Sequence, residues 1–249
     1  MPIWDESKEK ITKTVVQGTL VRVVESQEQI ATNQLIDNLE EQKQLEELLE
    51  RSKPILPKSR LALHYLLSTP FRYPPLLHGS RFGSRFDPSL FYASKTKSTT
   101  FAETAYYRFY FWQGMLTPPP SKKLLTEHTL FAASYHSENA LKLQNPPFNL
   151  QQDILTDPSH YSATQQLGED MRHNGVDAFE YVSARDLEKG INVALFSPNV
   201  LVSKKPNEQQ QWICETTAEK VSLFTKNGKL YTYPFKSFLV NDKLPIPAT

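Results

Sequence analysis

The chain has 249 residues, of which 39% are hydrophobic and 22% charged, and a formal net charge of +1. That length supports a sizeable core as one large domain or two small ones, and the near-neutral balance argues against a general nucleic-acid coat or a binder of acidic lipid. No run approaches the roughly 18 apolar residues of a membrane span, no signal peptide is expected, and one cysteine, Cys214, permits neither an internal disulfide nor a cysteine-based metal site. The histidines lie scattered without HxxxH or HExxH spacing, so a cytoplasmic protein without a metal is expected.

Residues 14 to 24, TVVQGTLVRVV, are β-branched and partly alternating, which predicts a strand. Arg22 sits inside it among apolar neighbours, and an edge-strand arginine with its head in water is the plain reading. Ser26 to Gln29 has the form of a capping box and opens a helical stretch to about Arg51. Ile30, Leu35, Leu39, Leu45 and Leu48 give that stretch an apolar face, opposite the acidic run EEQKQLEELLE. Packing on its own core is the expected role, and docking of a partner helix the alternative. Pro54 and Pro57 interrupt, and a second short helix is expected at about 59 to 68.

Residues 71 to 111 are the densest in groups suited to holding a ligand. Arg72, Arg81 and Arg85 supply guanidinium forks that match phosphate or carboxylate. Tyr73, Phe82, Phe86, Phe91 and Tyr92 supply flat faces for a base or a nicotinamide ring. Gly79 and Gly83 allow close backbone approach or positive φ. Glu103 is the one carboxylate at an apolar, aromatic helix start, and arginines, ring faces and a single acid together suit a dinucleotide. Thr100 to Glu103 also has capping-box spacing, which gives that acid a purely structural alternative. Leu90 to Ser94 reads as a strand and Thr99 to Met115 as a helix whose aromatics surround it, implying burial on several sides.

A strand at about 123 to 135 follows, then a loop with a short strand over 136 to 160 and a helix over 161 to 173 that stops at Asn174-Gly175. DAFEYVSAR and INVALFSP read as two strands joined by a turn near Gly190, with Ser183 at the end of the first. KVSLFTKNGKLYTYPF reads as a hairpin with a type I′ turn at Asn227-Gly228. No repeat or low-complexity linker divides the chain, so one domain over 1–249 is expected, with a helical insertion at 26–68 and a β-hairpin region at 210–240.

GSRFGSRFDPSLFYAS followed by TTFAETAYY resembles the core of the RES-domain family, whose usual pattern is Gly-Gly-Arg-Trp, a short turn, a Tyr-Ala-Ser strand, and Ala-x-x-Glu opening a helix. VRVVES near the start and DAFEYVSAR…INVALFSP near the end match family patterns as well. The resemblance implies an α+β fold like that of ADP-ribosyltransferases, with a mixed or antiparallel β core and flanking helices. It implies a toxin that degrades NAD at the nicotinamide–ribose bond, by phosphorolysis or hydrolysis, with no cofactor, phosphate as co-substrate in the first case, and an Xre-type antitoxin as its partner in a hetero-oligomer.

Among site residues, the resemblance makes Glu103, Arg85 and Ser183 the catalytic candidates, and Arg22, Arg72, Tyr73, Arg81 and Tyr92 the substrate-binding ones. GSRF occurs at 79–82 and again at 83–86, so Arg81 and Arg85 both match the family arginine, and Arg22 and Arg72 compete for the first arginine's place. An RNA-binding or partner-binding module and a protein ADP-ribosyltransferase are the alternative functions.

Overall fold

The computed structural model describes residues 2–26 and 63–247, with isolated positions between 40 and 54. The expected helical insertion at 26–68 thus lies largely outside the described residues. Within it, Glu40, Glu41, Gln44, Glu47 and Leu48 are helical.

The β-branched N-terminal run forms β1 (Thr14–Glu25), and it is no edge strand. It pairs along its length, antiparallel, with β3 (Leu124–Lys142), from Thr14 opposite Ala140 to Glu25 opposite His128. On its other side it meets β2 (Phe91–Ser94), where Val21 faces Ser94. β2 pairs with β5 (Ile191–Leu195), β5 with β4 (Ala178–Val182), and β4 runs parallel to the end of β3. These pairings close a circuit, β1–β2–β5–β4–β3–β1. The first half of β3 uses its other edge to carry β6 (Glu208–Thr216), then β7 (Lys220–Phe224) and β8 (Leu230–Pro234). The result is a mixed eight-stranded sheet in an α+β fold.

β3 is longer than the alternating run at 123–135 predicts. Its last residues keep the alternation on one face only, with Ala140 and Leu141 buried while His136, Glu138 and Asn139 are exposed. The polar outer face disguised the continuation as loop.

Among the described residues, helices with full bounds flank the sheet at α1 (Ile3–Ser7), α2 (Tyr65–Ser68), α3 (Lys97–Gln113), α4 (Gln152–Leu155) and α5 (Ser162–His173). α3 packs Phe101, Ala105, Tyr106 and Phe109 against Val21, Leu130, Trp212 and Leu223. These positions recur at helical spacing and form one face; Tyr107, Tyr110 and Phe111 are exposed, so the helix is not buried all round. On α5, Leu167 and Met171 pack with Phe82, Phe179 and Phe196. A further cluster joins Leu20, Phe91, Phe131, Tyr135 and Val193 beneath α2.

The β7–β8 turn is a hairpin, but of another type than expected. Gly228 alone has positive φ (+83°), its N–H bonds the Thr225 carbonyl, and the Thr225 N–H bonds Lys229. This is a three-residue type I loop ending in a glycine bulge, whereas type I′ needs positive φ at Asn227 too. Among the described residues no helix is long and apolar enough to cross a membrane.

Candidate active site

Glu103 lies in the second turn of α3. The helix starts earlier than expected and is capped by Thr96, whose side chain accepts from the Thr99 N–H at 3.2 Å. With the cap filled from outside, the capping-box role for Glu103 falls away and its carboxylate is free to turn to the sheet. There its Oε1 accepts from Ser183 Oγ at 2.6 Å and from Asn192 Nδ2 at 2.7 Å. Among the described residues Oε2 takes no hydrogen bond.

Ser183 follows β4 directly and is fully buried. Its Oγ accepts from the N–H groups of Arg185 and Asp186 at 3.2 and 3.1 Å, so its one proton goes to Glu103. Asn192, the second residue of β5, is pinned at its other end by Ser94 Oγ, which donates to Oδ1 at 2.7 Å. Gly190 lets the β4–β5 turn close on the helix start, since a Cβ there would stand 2.0 Å from Thr99 Oγ1. Two strands and a helix thus converge on one carboxylate.

That carboxylate lines a cavity of about 290 Å³, together with Arg22, Arg81, Arg185, Tyr92, Tyr107, Tyr161 and Tyr181. A second hollow of about 420 Å³ adjoins it, sharing Arg22, Ser80, Tyr92, Tyr107 and Tyr161 and extending to Tyr65, Tyr73 and the prolines at 70, 74 and 75. The cleft is therefore two-lobed, aromatic, and richer in guanidinium than in carboxylate. Such a lining attracts an anionic ligand with flat rings.

The arginines divide cleanly. Arg22 lines both lobes; it donates to the Tyr92 carbonyl, lies 5.2 Å from the Phe91 ring centroid, and is held down to about 10 in pKa by burial. Arg72 lines neither lobe and donates from Nε to the Pro54 carbonyl at 2.5 Å. Arg81 stacks over Tyr161 at 4.6 Å and donates to the Asp157 carbonyl at 2.6 Å. Arg85 is exposed, stacked on the equally exposed Phe86 ring, and lines neither lobe. The geometry therefore places Arg22 and Arg81 at the cleft, and Arg72 and Arg85 away from it.

Local structure explains why two identical GSRF tetrapeptides end so differently. In the first, Gly79 takes φ of +70° and Ser80 bridges to Gly83. Tyr92 Oη accepts from the Phe82 N–H at 3.1 Å and pairs with Ser80 Oγ at 2.9 Å, while Gln165 Nε2 donates to the carbonyls of His78 and Ser80, both at 3.0 Å. Phe82 is buried against Phe179 and Tyr181. The second tetrapeptide is tied locally instead, Ser84 N–H donating to Asp87 Oδ2 at 2.8 Å and Phe86 N–H to Ser84 Oγ at 3.3 Å, and the side chains of Arg85 and Phe86 run out to solvent. Tyr92 thus serves the turn with its hydroxyl, which burial pushes up to about 12 in pKa, while its ring edge lines the cleft.

Sequence reasoning missed Arg185, Asn192, Tyr107, Tyr161 and Tyr181. Arg185 is buried, lies 3.5 Å over the Tyr106 ring, and donates to the Pro158 carbonyl at 2.6 Å and to Tyr161 Oη at 3.1 Å. It stood two residues after the expected serine, an available signal. Tyr73 reaches only the larger lobe.

A mixed-sheet α+β protein with one donor-clamped carboxylate below an arginine- and tyrosine-lined cleft is the class these features define. The RES domain model matches residues 57–216, and the chain belongs to the RES domain family. No curated protein matches it.

Proposed function

We propose that the cleft binds NAD and that the protein breaks the bond between nicotinamide and ribose. The observation that carries this is the Glu103 carboxylate, held at Oε1 by Ser183 and Asn192 with no hydrogen bond to Oε2 among the described residues, on the wall of a cleft that also presents Arg22, Arg81 and Arg185. Departure of nicotinamide passes through an oxocarbenium-like state, with positive charge growing on the ribose. A fixed carboxylate beside that ribose stabilises the growing charge more than the ground state, which lowers the barrier. Arginine donors hold the diphosphate and so place the ribose against Glu103. The aromatic lobe lined by Tyr65 and Tyr73 has room for the second nucleoside.

In the bond-breaking step the C–N electron pair leaves with the nicotinamide ring, which departs neutral, and an oxygen nucleophile bonds to the anomeric carbon. That nucleophile is water or inorganic phosphate. An Xre-type antitoxin is part of the same proposal as the partner that silences the activity.

Purified protein incubated with NAD, with and without phosphate, and followed by NMR provides the test. Nicotinamide is expected in step with NAD loss; free ADP-ribose marks water as acceptor, and its 1″-phosphate marks phosphate. Glu103→Gln should lower turnover at least 100-fold, about 3 kcal/mol in the barrier, with an unchanged melting temperature. Intact NAD after incubation with the folded wild-type protein overturns the proposal and leaves RNA or partner binding as the function to pursue.

A further inference from the structure

We infer that Asn192 is a positioning residue for the reaction: the acceptor-only Glu103 carboxylate selects the donor end of its amide, and Ser94 holds the other end in place. This rests on the proposal that Glu103 acts on NAD.

A glutamate on a helix has three rotatable bonds, and unheld it samples many positions, so selecting one costs conformational entropy. Two donors select one position here, and they differ in kind. Ser183 is sealed in the protein and does not line the cleft. Asn192 does line it, beside Ser94 and Glu103. Asn192 therefore stands where Glu103 meets the reacting space.

The orientation of the amide follows from its partners. An asparagine turned end for end would set its Oδ1 against Glu103 Oε1, acceptor against acceptor, and its NH₂ against Ser94. With Ser94 Oγ donating to Oδ1 at 2.7 Å, Nδ2 is left to donate to the carboxylate, also at 2.7 Å. Asn192 and Ser94 are both about 2% exposed, so water does not compete for either bond. The strand pairing holds the relay in register, since Ser94 of β2 lies opposite Asn192 of β5. A hydrogen bond to a charged group is stronger than one between neutral groups, and one that orients a catalytic carboxylate appears in turnover and not in substrate binding.

The test is steady-state kinetics on NAD with the full-length protein carrying Asn192→Ala, Asn192→Asp or Ser94→Ala. Asn192→Ala should lower kcat about 10- to 100-fold with KM within about threefold of wild type, the loss of one charged hydrogen bond. Asn192→Asp, nearly the same shape, replaces the donor by a second buried carboxylate against Glu103 and should lower kcat further, with a melting temperature below wild type from the like-charge repulsion. Ser94→Ala should lower kcat a few-fold, because it touches Glu103 only through Asn192. Should Asn192→Ala fail to fold, the other two variants carry the same test. Wild-type kcat in Asn192→Asp, or a raised KM with unchanged kcat, overturns the positioning role alone. Wild-type protein that leaves NAD intact overturns the functional proposal, and this role with it.

Discussion

A buried histidine shows how one residue ties stability to pH. His128 on β3 is about 3% exposed, and its Nε2 contacts Thr126 Oγ1 at 2.9 Å, while its Nδ1 has no partner among the described residues. Burial first, and the nearby Arg108 charge second, hold it down to about 4 in pKa. Its folded value lies below its unfolded one, so the unfolded chain takes up a proton first as pH falls, and stability present above pH 6.5 is lost on the way toward 4. By pH 5 the loss amounts to about 2 kcal/mol from this group alone. Urea midpoints of wild type should therefore fall more steeply between pH 7 and 5 than those of His128→Gln; parallel slopes would refute it. At this scale Glu103 was legible as the lone acid in an aromatic stretch, and Ser183 by resemblance. Asn192 was not, because an asparagine in INVALF carries no local mark of the carboxylate it faces across the fold. Nor did two copies of GSRF distinguish Arg81 from Arg85; contacts made in the folded chain, among them those of Tyr92, Gln165 and Tyr161, do so.

Helices and strands announced themselves where one face was apolar, and hid where it was not. β1, β4, β5 and α5 appear close to the positions their patterns predicted, whereas the polar outer face of β3 concealed its second half. The packing of α5 on the Gly79–Gly83 turn was invisible, because it depends on a glycine whose role is absence. A Cβ on Gly168 would stand 2.0 Å from the Phe82 carbonyl oxygen and 2.7 Å from its carbon. Both are backbone atoms, so helix and turn must separate. Gly168→Ala is therefore expected to cost about 1–3 kcal/mol, the range for overpacking a close contact. In the proposed reaction it should also lower kcat/KM for NAD, since Arg81 rides on that turn. Unchanged stability and activity in this variant would show that the contact is not needed to place Arg81.

For the whole molecule, the closed strand circuit decides which pieces of chain depend on one another. The family match spans residues 57–216, yet β1, which carries Arg22 and lies between β2 and β3, falls before it, and β7 and β8 fall after it. Without β1 the long edge of β3 loses its partner from His128 to Ala140, and the apolar faces of Leu130, Phe131, Ala133 and Tyr135 lose packing. Without the last strands, α3 loses Val221, Leu223 and Phe238, and Tyr106 Oη loses the Pro245 carbonyl, to which it donates at 2.6 Å. Each buried aromatic or aliphatic side chain so exposed forfeits about 1.5–3 kcal/mol, and a handful exceeds the 5–15 kcal/mol that holds a typical domain folded. The fragment 57–216 should therefore show no cooperative thermal transition and poor amide dispersion by NMR. The full chain should melt in a single transition in which β1 and β8 lose hydrogen-exchange protection together. A cooperatively folding 57–216 fragment would instead mean that the flanking strands are additions to an already stable core, and that Arg22 was recruited to the cleft from outside it.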